Sequence, residues 1–133
     1  MGTLIYVDTN IYLNFLINGR PRRKAEDAFS LFNRAIRCEF EILLSKKIKT
    51  ELYPNIQGNE SAMLFKFLEP KLRYIEPTSE DEEEAGKTDA KDTADALHAI
   101  LAKKYGAAFL VTQNMRHFKK FNSIIASKLP SDI

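Results

Sequence analysis

Short apolar strand signals alternate with amphipathic helix signals along 133 residues, and this predicts an α/β fold of three layers. The expected architecture is α/β/α, with a central parallel sheet of four to five strands covered by helices on both faces. Two observations sharpen it. The first run, Leu4-Ile5-Tyr6-Val7, has no polar alternation and reads as a strand buried on both sides. Pro54, Pro70, Pro77 and Gly106 fall at the ends of elements rather than inside them. The length suits a single domain spanning residues 1–133.

The elements follow in order. Asp8-Thr9-Asn10 are helix-capping types, and Ile11, Leu13, Phe15 and Leu16 continue an apolar helical face. Asn18, Gly19 and Pro21 make a loop. From Lys24 to about Arg37, the set Ala25, Ala28, Phe29, Phe32, Ala35 and Ile36 has helical period. Phe40 to Leu44 is a second strand, after which Ser45 caps a short helix carrying Ile48, Leu52 and Tyr53. Ser61 to Leu68 is helical, and Leu72 to Ile75 is a third strand. The acidic run from Glu80 is expected as a solvated loop or the frayed start of a helix. Residues 88–105 give the strongest helix signal. Ala108 to Val111 is a fourth strand, Phe118 to Phe121 a further turn, and Ile124-Ile125 an edge strand.

Composition excludes several classes. Hydrophobic residues make up 44% of the chain, ordinary for a globular protein, so wholesale disorder is not expected. No apolar run approaches the roughly 20 residues that cross a bilayer. Asp8 interrupts the apolar start and no basic region precedes it, so no signal peptide is expected. Cys38 is the only cysteine, which rules out an internal disulfide and a cysteine-rich zinc site. It is expected as a small apolar filler near a helix end. A cytoplasmic location follows by default. The net charge of +2 conceals the acidic run Glu80 to Glu84 set against a basic remainder, a distribution that suits a nucleic-acid partner.

Ligands of an open parallel sheet bind beyond the carboxyl ends of its strands. Asp8 follows the first strand directly, and Thr112, Gln113 and Asn114 follow the fourth. Glu51 lies on the short helix after the second strand. Asp92 and Asp95 stand three apart near the start of the long helix, on one face near its positive end. Winding the sheet as expected brings Asp8, Glu51, Asp95 and Asn114 to one cleft. Carboxylates so gathered repel one another unless a cation is bound or a proton retained. An oxygen-only ligand set selects a hard ion, Mg2+ or Mn2+. Such an ion lowers the pKa of a bound water and offsets charge on a phosphodiester under attack.

These residues resemble the PIN domain ribonucleases. Ile5-Tyr6-Val7-Asp8-Thr9-Asn10 is similar to the opening of that family, a strand ending in Asp-Thr-Asn or Asp-Thr-Ser. Ser45 to Leu52 resembles its second motif, a helix delivering a glutamate, and Asp95-Ala96-Leu97-His98-Ala99 its third. Leu110 to Phe118 resembles the fourth, a strand followed by Thr112 and an acid two places later. Here the chain departs from the pattern, with Asn114 in place of the usual aspartate. The resemblance implies a metal-dependent ribonuclease using Asp8, Glu51 and Asp95 as ligands or water positioners, with Asn114 beside them. It also implies a homodimer and, in VapC-type relatives, a toxin blocked by a small antitoxin. Losing the fourth charge favours one metal over two, unless Asp92 supplies it from a helical turn away.

Plainer roles stand beside these. Asp8 is also a good N-cap, Asp95 suits a helix start, Asn114 suits a turn, and Thr112 or Asn10 can serve as caps or orient an acid. His98 reads as a half-buried helix histidine without a catalytic role. Arg20, Arg22, Arg23 and Lys24, in the loop after the first helix, are expected to hold RNA phosphates, and Arg116 to touch RNA. A phosphatase or receiver domain fits poorly: Asn10 stands where a second aspartate is needed, and there is no glycine-rich phosphate loop. The remaining alternative is a PIN fold that binds RNA or a protein without cutting.

Overall fold

In the computed structural model, which describes residues 3–56 and 58–133, five strands form one parallel sheet. Strand β1 (Thr3–Val7) leads into α1 (Thr9–Leu16) and α2 (Arg22–Ile36). Strand β2 (Phe40–Ser45) is followed by α3 (Lys46–Leu52) and α4 (Gly58–Leu68), then β3 (Leu72–Ile75). Next come α5 (Ser79–Ala85), α6 (Thr93–Lys104) and β4 (Leu110–Val111), and last α7 (Met115–Phe118) and β5 (Ser127–Lys128).

The strand order is β3-β2-β1-β4-β5. The chain therefore starts in the middle, builds outward through β2 and β3, and returns to the other side of β1 for β4 and β5. Ile5, Tyr6 and Val7 are fully buried, as a strand covered on both faces requires. Ile42 of β2 pairs with Ile5 and Leu72, and Leu101, Ala99 and Ala102 on α6 pack into the same core.

Most expected elements are present, and the differences have physical causes. The acidic run forms a regular helix, α5. Thr78 caps it by accepting from the Asp81 amide while Asp81 accepts from the Thr78 amide, a reciprocal capping box. Asp81 is buried and receives two hydrogen bonds from Lys104 Nζ, at 3.0 and 3.1 Å, which ties the helix to α6. The long helix begins at Thr93, after a 3₁₀ turn at Ala90–Asp92. The edge strand lies at Ser127–Lys128 rather than at Ile124-Ile125. Ile124 and Ile125 instead close a turn on the Phe121 carbonyl, and Ile125 faces the core. Cys38 is exposed, not a filler. It takes the left-handed position that ends α2, with φ of 68°, and its amide bonds the Ala35 carbonyl while that of Glu39 bonds Arg34. Among the described residues no helix is long and apolar enough to cross a membrane.

Candidate active site at the carboxyl ends of the central strands

The change of winding direction between β1 and β4 opens a crevice at their carboxyl ends, the place where parallel sheets bind ligands. Val7 and Val111 are register partners, and the Asp8 amide bonds the Val111 carbonyl at 2.9 Å. Register alone therefore sets Asp8 beside Thr112. Asp8 is only 6% exposed, and both its oxygens are engaged. Oδ1 accepts from the Thr9 amide at 2.8 Å, so the residue does cap α1, and Oδ2 accepts from the Thr112 hydroxyl at 2.8 Å.

Thr112 is fully buried and acts as a junction. Its hydroxyl donates to Asp8 and accepts from the Asn114 amide at 2.9 Å and from Asn10 Nδ2 at 3.3 Å. Asn10 Oδ1 in turn accepts from the Gln113 amide at 3.4 Å. Thr112→Val keeps the shape and removes the junction. It should destabilise the protein by about 1–3 kcal/mol, the cost of leaving buried polar groups unpaired, measured by urea unfolding. The same change should lower activity by roughly 10- to 100-fold through the loosened Asp8 carboxylate.

Glu51 reaches the crevice from the last turn of α3. Its Oε1 accepts from the Thr9 hydroxyl and pairs with His98 Nε2 at 2.8 Å, while Oε2 lies 3.7 Å from Lys47 Nζ. Thr9 thus joins Asp8 and Glu51, through its amide and its hydroxyl respectively. His98 is 1% exposed rather than half-buried, and its Nδ1 lies 2.6 Å from the Tyr6 hydroxyl, which meets Ser45 Oγ at 2.7 Å. Sequence reasoning placed Tyr6 in the core and Ser45 at a cap, missing their part in the site. The available signal was a hydroxyl inside an otherwise aliphatic strand, since a buried tyrosine oxygen needs a partner.

Asp95 stands half-buried in the first turn of α6, with His117 Nδ1 3.8 Å from its Oδ2. Asp92 accepts from Lys120 Nζ at 2.8 Å, so its charge is already matched within the chain. Asn114 is exposed at the start of α7, and its side chain makes no capping bond. Beside it opens a shallow cavity of about 430 Å³ lined by Gln113, Arg116, His117 and Leu129 among others. Hydrogen bonds therefore link Asn10, Thr112 and Asp8, and Thr9 carries the link on to Glu51; Asp95 stands within electrostatic reach of Asp8 and Glu51, and Asn114 and Arg116 lie at the rim. Arg20, Arg22, Arg23 and Lys24 are exposed and lie beyond the far end of α1, roughly 12 Å along the helix from Asp8. Arg22 pairs with Glu26 on that surface.

The carboxylates differ in their electrostatics. Burial pushes the Asp8 carboxyl above its ordinary range. His98, when protonated, and the hydrogen bonds from Thr112 and Thr9 oppose this, and Asp95 adds to it. Asp95 is also raised, first by burial, with Glu51 and Asp92 pushing the same way against His98 and His117. Burial raises Glu51 too, but His98, Thr9 and Lys47 together outweigh it and hold Glu51 low.

These features bear on a metal ion. Among the described residues no three acidic, histidine or cysteine side chains form a ready-made ligand cage. What is present is a pair of carboxylates, Asp8 and Asp95, both disfavoured as anions by burial, with Asp95 adding to the rise of Asp8, and Glu51 and Asp92 adding to that of Asp95. A hard cation relieves that cost, and Mg2+ ordinarily takes one or two carboxylates and keeps waters for its other positions. The donor set fits such an ion.

Comparison with known proteins places the fold. A search of curated protein sequences finds no match. Solved structures that are similar include VapBC2 from Rickettsia felis bound to a DNA fragment of its promoter, at 15% identity and a TM-score of 0.63, covering 96% of this chain and 98% of that one. FitAcB from Neisseria gonorrhoeae is similar at 17% identity and a TM-score of 0.62, covering 97% and 99%. A FitAB complex bound to DNA gives 15% identity and a TM-score of 0.62, covering 95% and 94%. The PIN domain profile matches residues 5–123, and the chain belongs to the PIN domain family.

Proposed function

We propose that this protein is a metal-dependent endoribonuclease that hydrolyses RNA phosphodiester bonds, and the toxin of a toxin–antitoxin pair. The observation that carries the reading is the buried Asp8 at the switch point of the sheet, its carboxyl raised by burial and by the charge of Asp95, a cost that a cation relieves. Membership of the PIN domain family and likeness to folds found in VapBC and FitAB complexes support it.

In this reading Asp8 and Asp95 hold a Mg2+ or Mn2+ ion, and Glu51 acts on it through water, because Glu51 Oε1 already serves Thr9 and His98. When bound, the ion supplies Lewis acidity and a water of lowered pKa. Thr112 fixes the Asp8 carboxylate through its hydroxyl, and Asn10 braces Thr112. With Asn114 uncharged and Asp92 matched by Lys120, the site holds one ion rather than two. Arg116 at the rim, and more distantly Arg20, Arg22, Arg23 and Lys24, offer positive charge to the RNA backbone. The partners proposed are RNA, a small antitoxin that blocks the cleft, and a second copy of the chain.

Asn114 favours one other reading, a PIN fold that binds RNA without cutting. Titrating Mn2+ against an end-labelled RNA separates the two. The nuclease reading expects internal cleavage that rises with Mn2+, saturates, and stops on chelation. Retention of the RNA with no cleavage at any Mn2+ concentration supports the binding module instead.

A further inference from the structure

Five polar groups form a single file from the start of α3 to Glu51, and their donors and acceptors match in only one direction if every member is neutral except the carboxylate. The Ile48 amide donates to Ser45 Oγ at 3.2 Å. The Glu51 carboxylate can only accept, so a neutral His98 donates from Nε2, its Nδ1 accepts the Tyr6 proton, and the Tyr6 oxygen accepts from Ser45. Tyr6, Ser45 and His98 are all at or near zero exposure, so no bulk water competes for these bonds. The Tyr6 and His98 rings also pack against each other, centroids 5.5 Å apart with a 56° tilt.

We propose that His98, locked in its Nε2–H form by Tyr6, is the positioning residue for Glu51. It fixes Oε1 toward the protein interior and leaves Oε2, on the Lys47 side, as the oxygen that faces solvent and substrate. The role rests on the nuclease reading above. It goes further in giving a buried strand tyrosine and a helix histidine a task in the cleft, although neither touches substrate. The arrangement has the logic of a metal or catalytic ligand whose orientation is set by hydrogen bonds from behind.

Long-range proton–nitrogen NMR on the wild-type protein at neutral pH reads the imidazole directly, without RNA or metal. A proton on Nε2 and none on Nδ1 is expected, and Tyr6→Phe, which keeps the ring and removes the hydroxyl, should release the lock and mix the two tautomers. A proton on Nδ1 of the wild type overturns the proposal. Kinetics give the second arm. His98→Leu should lower kcat for Mn2+-dependent RNA cleavage by roughly 10- to 100-fold with KM little changed, and His98→Gln, which restores a donor toward Glu51, should recover most of it. In a Glu51→Gln background the His98→Leu loss should largely vanish, because the two act as one unit. A loss of equal size in both backgrounds shows a merely structural histidine and overturns the proposal. A wild type that cuts no RNA in Mn2+ defeats the nuclease reading instead, and the NMR result still decides whether the file of hydrogen bonds exists.

Discussion

Asp95→Asn is expected to reduce Mn2+-dependent RNA cleavage by about 10³-fold, with circular dichroism close to wild type and, without metal at neutral pH, an unfolding midpoint no lower than wild type. The size follows from what the residue supplies, a charge that holds a cation where negative charge develops, a contribution of several kcal/mol to the transition state. The intact fold follows from its place. Asp95 is half-buried on the first turn of α6, its nearest polar partner being His117 at 3.8 Å, and the core face of that helix is formed by Ala99, Leu101 and Ala102. Asp8→Asn should cost at least as much activity. Asp8 is raised above its ordinary pKa by burial, so the unfolded chain ionises before the folded one as pH rises. Its presence therefore costs nothing below the unfolded aspartate value of about 3.9 and destabilises the metal-free protein progressively as pH climbs through the folded value. Asp8→Asn removes that charge and also one of the two acceptors that Thr9 and Thr112 use, so its melting point relative to the wild type should fall on acidification, as the wild-type carboxyl takes up its proton. Glu51 runs the other way. Held low by its partners, it contributes stability that is present at neutral pH and is lost as pH falls through its folded value.

Mn2+ should stabilise the folded protein strongly, and only while both acids are present. An ion at a hundredfold excess over its Kd adds about 2.7 kcal/mol. For a domain of this length that corresponds to a rise in Tm of about 8 °C. The rise should fall to near zero in Asp8→Asn and Asp95→Asn, and should shrink on acidification, as protons compete for the raised carboxyls. Ca2+ or Mn2+ acting equally on wild type and both variants would show that the ions bind elsewhere, for example on the acidic face of α5.

The sequence showed some of this readily. Leu4-Ile5-Tyr6-Val7 followed at once by Asp8 is legible because a buried parallel strand must be apolar and an acid at its end must have a reason. Glu51 and Asp95 are legible only as members of ordered motifs, since neither helix position is unusual alone. What stayed hidden depends on partners brought from far along the chain. Asp92 reads as a spare charge until Lys120 is seen to reach it. His98 reads as filler until Tyr6, in a strand 92 positions away, meets its ring. Strand β5 has two residues and no apolar run, so Ile124-Ile125 drew the assignment although those side chains belong to a turn and the core. The acidic run forms a helix because Thr78 and Asp81 cap each other and Lys104 anchors Asp81, and only the first of these is local.

Anomalous diffraction from a crystal soaked in Mn2+ addresses the central claim most directly, because it asks where the ion sits without relying on activity. One strong peak is expected in the crevice between β1 and β4, bonded to carboxylate oxygens of Asp8 and Asp95, with Glu51 reached through a water. Mn2+ found only on surface carboxylates, with none bound to Asp8 or Asp95, would contradict it.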